Sequence, residues 1–163
     1  MARIIGEIVI DRPVEEVFDF AADGCNEPKY NPETVQSVKV TTGPIGTGTR
    51  FALTHLTAGR SVSMSVEVTE YERPHRLAMH TAMSWADVQE VLTFDPAGTG
   101  TRMRWAWHVR PKGMAISLAP IVSVIGARQE RALWEGLKRY LETAAAQAKA
   151  AAATAGTPAT GPR

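Results

Sequence analysis

Between residues 49 and 109, apolar and polar side chains alternate with a period of two, broken by Gly- and Pro-rich turns. That pattern predicts successive antiparallel strands with one buried face. The cleanest segment is 61–71, where Val62, Met64, Val66 and Val68 alternate with Ser61, Ser63, Ser65, Glu67 and Thr69. In 101–110, Met103, Trp105, Trp107 and Val109 alternate with Arg102, Arg104, Ala106 and His108. Over 115–146 the period becomes helical. Leu118, Val122, Ile125, Leu133, Leu137 and Leu141 form its apolar stripe, and Arg128, Glu130, Arg131, Glu135, Lys138, Arg139 and Glu142 form a solvated face of mixed charge.

The opening residues predict a strand over 3–11, with Ile4, Ile8 and Ile10 on one face. Gly6 inside it predicts a bulge or a close backbone approach. Pro13 followed by Glu15 and Glu16 starts a short helix over 13–22 that carries Val14, Val17, Phe18 and Ala21 at helical spacing. Residues 24–32, with two prolines and two asparagines, read as a loop or broken helix. Further strands are expected over 35–42, 49–57, 61–71, 76–83, 86–94 and 101–110, with Pro96–Gly100 as a hairpin loop. After residue 146 the chain turns Ala-rich, where the helix can continue, and then Thr/Gly/Pro-rich, so residues 1–146 read as one domain and 147–163 as a tail with a disordered end. Strands that close on one long helix predict an α+β fold, with a curved antiparallel sheet wrapped around the C-terminal helix and short helices after the first strand. The space between sheet and helix is the expected seat of function.

The totals narrow the function classes. At 163 residues the chain suits one domain with a core of its own. A net charge of +1 with scattered basic residues gives no track for nucleic acid. Cys25 is the only cysteine, so no intrachain disulfide is expected; with no base beside it, it reads as a packed thiol. His55, His75, His80 and His108 lack metal-ligand spacing, and neither a phosphate-binding loop nor a nucleophile elbow is present in the sequence. The start, Met1–Glu7, lacks the form of a signal peptide, and no apolar run reaches the ~20 residues of a membrane span. The expectation is a soluble, cytoplasmic protein, a monomer or weak homodimer, with no metal, no tightly bound cofactor, no nucleic-acid partner and no integral membrane association.

Six motifs in order sharpen the reading. They are Ile10-Asp11-Arg12-Pro13 with Val17-Phe18; Tyr30-Asn31-Pro32; Gly46-Thr47-Gly48-Thr49-Arg50; Val68-Thr69-Glu70-Tyr71-Glu72-Arg73-Pro74; Gly100-Thr101-Arg102-Met103-Arg104-Trp105; and Leu137-Lys138-Arg139-Tyr140-Leu141-Glu142. Together, over about residues 3–145, the chain resembles the SRPBCC/START-like superfamily with its helix-grip fold, in the polyketide cyclase/dehydratase-type branch. The resemblance implies an internal cavity for a small hydrophobic molecule: a lipid, a polyketide or another aromatic or isoprenoid-like compound. It also implies two alternatives, a polyketide aromatase/cyclase or dehydratase and a co-chaperone-like interaction module. Fold alone does not choose among them.

Strand parity places Phe51, Leu53, Val62, Met64, Val66, Leu77, Met79, Met83, Leu92, Phe94, Met103, Trp105 and Trp107 on the concave face. Of these, Phe51, Leu53, Met64, Met79, Met83, Met103, Trp105 and Trp107 are candidate ligand-binding residues, because methionine and tryptophan offer adaptable and flat contact area. Trp85 joins them at the rim, and Gln129, between Ile125 and Leu133, joins them from the helix. Glu90 and His55, in phase with apolar neighbours, are the candidate catalytic residues. A carboxyl buried in an apolar cavity, or a histidine, can serve as acid or base. The competing reading of Glu90 is an ion pair with Arg104 or another cation. Tyr30-Asn31-Pro32 reads either as a cap on the cavity entrance or as an anchor for the first helical region.

Overall fold

The computed structural model describes residues 2–57, 59–113 and 119–155. Its strands are β1 (Ala2–Ile10), β2 (Thr34–Lys39), β3 (Arg50–Thr57), β4 (Arg60–Glu72), β5 (Arg76–Ala82), β6 (Ala86–Ala97) and β7 (Gly100–Pro111). Its helices are α1 (Val14–Ala22) and α2 (Ala119–Ala155), and Gly24–Lys29 forms a 3₁₀ helix. The strands pair antiparallel in the order β1-β7-β6-β5-β4-β3-β2, so the first and second strands form the two edges of a curved sheet. Short α1 and the 3₁₀ helix follow the first strand, and long α2 packs across the sheet, giving the α+β helix-grip arrangement.

Several boundaries become definite in the structure. The hairpin β6–β7 is tighter than Pro96–Gly100, because pairing continues to Ala97 and Gly100 and leaves Gly98 and Thr99 to turn the chain. Gly98 takes φ 63°, a conformation that such a short hairpin turn needs and glycine adopts freely. Residues 24–29, expected as loop or broken helix, form the 3₁₀ helix. At the other end, α2 continues through the alanines to Ala155, as the best helix-forming side chain allows. Residues 156–163 lie outside the described residues, as do Leu118 and the side chains of Val122 and Ile125.

Inward-facing residues stack across the sheet in rows. One row joins Phe94, Met103 and Ile8; the next joins Leu77, Leu92, Trp105 and Gly6. These rows are the floor of the main core. Phe18 of α1 meets Phe94 and Tyr71 edge-on, both at 5.2 Å between ring centroids. Trp134, Leu137 and Leu141 of α2 cover the same end. Gly6 answers the expectation of a close approach: a Cβ there would collide with the Trp105 indole.

The middle of α2 is pinned to the end of β1. Lys138 Nζ donates to the Val9 carbonyl at 2.7 Å, and the Asp11 N–H donates to Glu142 Oε1 at 2.8 Å. Leu137 and Leu141 of the expected stripe are buried and Leu133 packs against the core, but Trp134 and Glu130 share the buried face, so Glu130, placed by sequence on the solvated side, points inward.

Candidate functional site

Two further rows of the same sheet face border a cavity. One runs from Val68, still in the main core, through Met79, Glu90 and Trp107 to Ile4; the other joins Val66, Thr81, Val88 and Val109, and Ile4, Val88 and Val109 pack with Ala86 in a second small core. Successive rows lie two residues apart along each strand, roughly 7 Å. That step carries the sheet beyond Phe18, and of α1 only Ala21 borders the space that opens. The result is a cavity of about 620 Å³, closed from the other side by Glu130 and Leu133 of α2 and by the segment Gly24–Glu33.

Phe51, Leu53, Met64, Met79, Met83, Trp85, Trp107, Gln129, His55 and Glu90 all line this cavity. Trp85 and Gln129 are exposed, at its mouth. Met103 and Trp105 do not line it, which corrects the sequence reading. They face the correct side but belong to the two rows that α1 and α2 cover, and both are packed in the core. Leu77, Leu92 and Phe94 are core residues for the same reason.

Glu90 is 6 % exposed in the middle of an apolar row, and its Oε1 has no hydrogen-bond partner. The alternative pairing with Arg104 does not occur. Arg104 lies on the opposite face, where it binds Glu7 and Asp95. Burial pushes the Glu90 carboxyl up to about 8; the nearby Trp107 indole acts in the other direction and the charge of Glu27 adds to the rise. Glu130, also 6 % exposed, is raised well above the ordinary carboxylate range, first by burial and then by Glu90 and Glu27. Its Oε2 and the indole nitrogens of Trp107 and Trp134 also lack partners among the described residues.

Glu27 behaves oppositely. Burial disfavours its charge, but hydrogen bonds from His55, Thr34 and Asn31 outweigh that cost and hold the carboxyl below its usual range. Glu27 Oε1 accepts from Thr34 Oγ1 at 2.6 Å, from Asn31 Nδ2 at 2.9 Å and lies 3.1 Å from His55 Nε2. Thr34 Oγ1 also lies 2.8 Å from the same imidazole nitrogen. His55 is therefore held by a carboxylate and a hydroxyl at the cavity wall.

Tyr30 stacks on Trp134 at 6.5 Å and tilts against Phe20 at 6.1 Å, and it lines the cavity. Burial, reinforced by Glu27, Glu90 and Glu130, pushes its phenol well above the ordinary value, so it remains an O–H donor. Both roles considered for Tyr30-Asn31-Pro32 are thus combined in one segment. Gly136 lets α2 approach this segment, since a Cβ there would strike the Tyr30 carbonyl.

Sequence reading missed Glu27 and Glu130. Glu27 carries no periodic signal, because it sits in a Pro- and Asn-rich segment. For Glu130 the signal was Trp134, one helical turn later on the same stripe. Cys25 packs beside the core, and burial pushes its thiol up, as for a structural cysteine. Among the described residues, no three His, Cys, Asp or Glu side chains converge to hold a metal ion.

A curved antiparallel sheet that holds one long helix across an internal cavity defines the helix-grip class of START-like proteins. The chain belongs to the polyketide cyclase / dehydrase and lipid transport family, whose model matches residues 1–151. Among solved structures, it is similar to a START superfamily protein from Mycobacterium smegmatis, at 14% identity and TM-score 0.77, covering 88% of this chain and 99% of that one. It is similar to a Thermus thermophilus protein at 20% identity and TM-score 0.75, covering 87% and 98%. It also resembles the di-domain ARO/CYC BexL at 20% identity and TM-score 0.73, covering 87% of this chain and 47% of that one. No curated protein matches the sequence. Among the described residues, no helix is long and apolar enough to cross a membrane.

Proposed function

We propose that this protein binds a small hydrophobic molecule, a lipid, polyketide or other aromatic or isoprenoid-like compound, in the cavity between the sheet and α2. The observation that carries this reading is the cavity itself. At about 620 Å³ it lies within the size range of small-molecule sites, and Met64, Val66, Met79, Met83, Val88 and Trp107 give it an apolar floor. Tyr30, Glu90 and Glu130 add a few polar groups that orient a ligand. An interaction module without a ligand would be better served by a side-chain-filled interior.

Native mass spectrometry of the purified protein, followed by denaturing extraction, tests this reading. A retained hydrophobic compound is the expected result and identifies the ligand class. An empty protein that also fails to bind hydrophobic probes in titration overturns it.

The second reading, a polyketide aromatase/cyclase or dehydratase, draws on a different observation. Glu90 keeps its proton near neutrality, and His55 is fixed by Glu27 and Thr34, so an acid and a candidate base border one cavity. Aldol ring closure needs a proton removed beside one carbonyl and a proton supplied to another. Turnover of a poly-β-ketone that falls in Glu90→Gln far more than affinity does supports this reading. Absence of turnover in the unaltered protein removes it.

A further inference from the structure

The cavity holds more acid than the protein itself satisfies. Glu90 Oε1 and Glu130 Oε2 are buried without hydrogen-bond partners, and both side chains line the same space. The charged carboxylate of Glu27 stands in the wall beside them. Among the described residues, the basic side chains that line the cavity are His55 and Arg139. The Nε2 of His55 is engaged by Glu27 and Thr34, while Arg139 is exposed and forms no ion pair with either orphan carboxyl.

Glu90 Oε1 and Glu130 Oε2 are already shut off from solvent; a purely apolar occupant offers the two carboxyls no partner, so their hydrogen bonds stay unmade. An acidic occupant, such as a fatty acid, would place its charge beside the Glu27 carboxylate and add a fourth acidic group to the site. An occupant with a positively charged nitrogen reverses both effects. The aromatic faces of Trp107 and Tyr30 beside the acids, with Trp85 at the mouth, add the ring-face attraction that organic cations find in aromatic surroundings.

We propose that the ligand is a lipophilic organic cation, an aromatic or alkyl body carrying an ammonium centre, for which Glu90 and Glu130 together supply the counter-charge. This rests on the reading of the cavity as a hydrophobic ligand site and adds a charge to that ligand. Burial raises both carboxyls, Glu90 to about 8 and Glu130 well above its ordinary value, so the empty site favours their protonated forms. Arrival of the cation favours loss of one proton from the pair, and that proton passes to the buffer.

The test uses three probes of one shape with the full chain: naphthylmethyl-trimethylammonium, its neutral carbon analogue neopentylnaphthalene, and naphthylacetate. Affinities come from calorimetry and tryptophan fluorescence between about pH 6 and about pH 8. The quaternary nitrogen has no titratable proton, so pH acts on the protein alone. The titratable or charged groups around the site are Glu27, Tyr30, Glu33, His55, Glu90, Glu130 and Arg139.

The cation is expected to bind about tenfold tighter than the neutral probe, with naphthylacetate the weakest. Its affinity rises with pH, and calorimetry in two buffers of different ionisation enthalpy shows proton release. In the Glu90→Gln/Glu130→Gln double variant the cation-to-neutral ratio drops to about one, and the rise with pH flattens. Taking the ratio within each variant cancels any general change in cavity packing, and a cooperative thermal transition checks the fold. If the neutral probe binds the unaltered protein as tightly as the cation, or if the ratio survives both substitutions, the cation inference is overturned while the hydrophobic cavity stands. If none of the three probes binds, the reading of the cavity as a ligand site fails with it.

Discussion

At one end of the sheet, Phe94, Met103, Leu92 and Trp105 lie beneath α1 and the Trp134–Leu141 face of α2. One row further along the same strands, Met79, Glu90 and Trp107 face a cavity. The side chains at the two ends are drawn from similar types, and both sets obey the same strand parity. What separates them is the cover. Helix α1 is only nine residues long and supplies Phe18 to one end alone. The close packing of the main core therefore ends with Phe18, and the concave surface beyond it borders the cavity. A second contrast lies within the cavity wall. Glu27 has three hydrogen-bonding neighbours on one oxygen and stays charged, whereas Glu90 has an oxygen with none and keeps its proton.

The sharpest way to break the first comparison is truncation at each end. Phe94→Ala is expected to cost about 3–5 kcal/mol of stability, the usual cost of emptying a packed aromatic site. Met79→Ala, whose side chain already borders open space, should cost about 1 kcal/mol or less and change probe affinity instead. Urea denaturation of both variants measures the difference, and equal losses would show that the cavity end is closed in solution.

The contrast between the two acids is tested by pH. The folded value of Glu90 lies above its unfolded one, so its contribution to stability is lost as pH rises from the ordinary carboxylate range through about 8. Glu90→Gln should therefore stabilise the empty protein by about 3 kcal/mol at pH 7, with the gain absent in acid and larger at alkaline pH. Thermal melts across that range should show the divergence; a gain independent of pH would mean that the carboxyl is solvated.

Glu27 carries the opposite sign. Its folded value is depressed, so its contribution is present above the ordinary carboxylate range and is lost as pH falls through the lower folded value. Glu27→Ala should cost about 2 kcal/mol near neutrality by stranding Asn31, Thr34 and His55. In acid the loss should shrink, as measured by the same melts.

Much of this was legible along the chain. Alternation in 61–71 and 101–110 set which side of each strand is apolar, because side-chain direction in a strand follows position alone. It therefore brought Met64, Met79 and Trp107 to the concave face and placed Glu90 among them. The late change to a helical period marked α2, and Gly6 announced a close contact before its partner was known. Alternation says nothing about what lies above a face, and so it grouped Met103 and Trp105 with Trp107. Only tertiary packing separated them, by ending the reach of Phe18 between two rows. Packing likewise turned Glu130 inward, because Trp134 has to bury its indole against Tyr30 and Trp105 and brings Glu130 with it on the same helical stripe. It also brought Glu27 to His55 across 28 residues of chain, a meeting that depends on β2 pairing with β3 and on the 3₁₀ helix folding back over them.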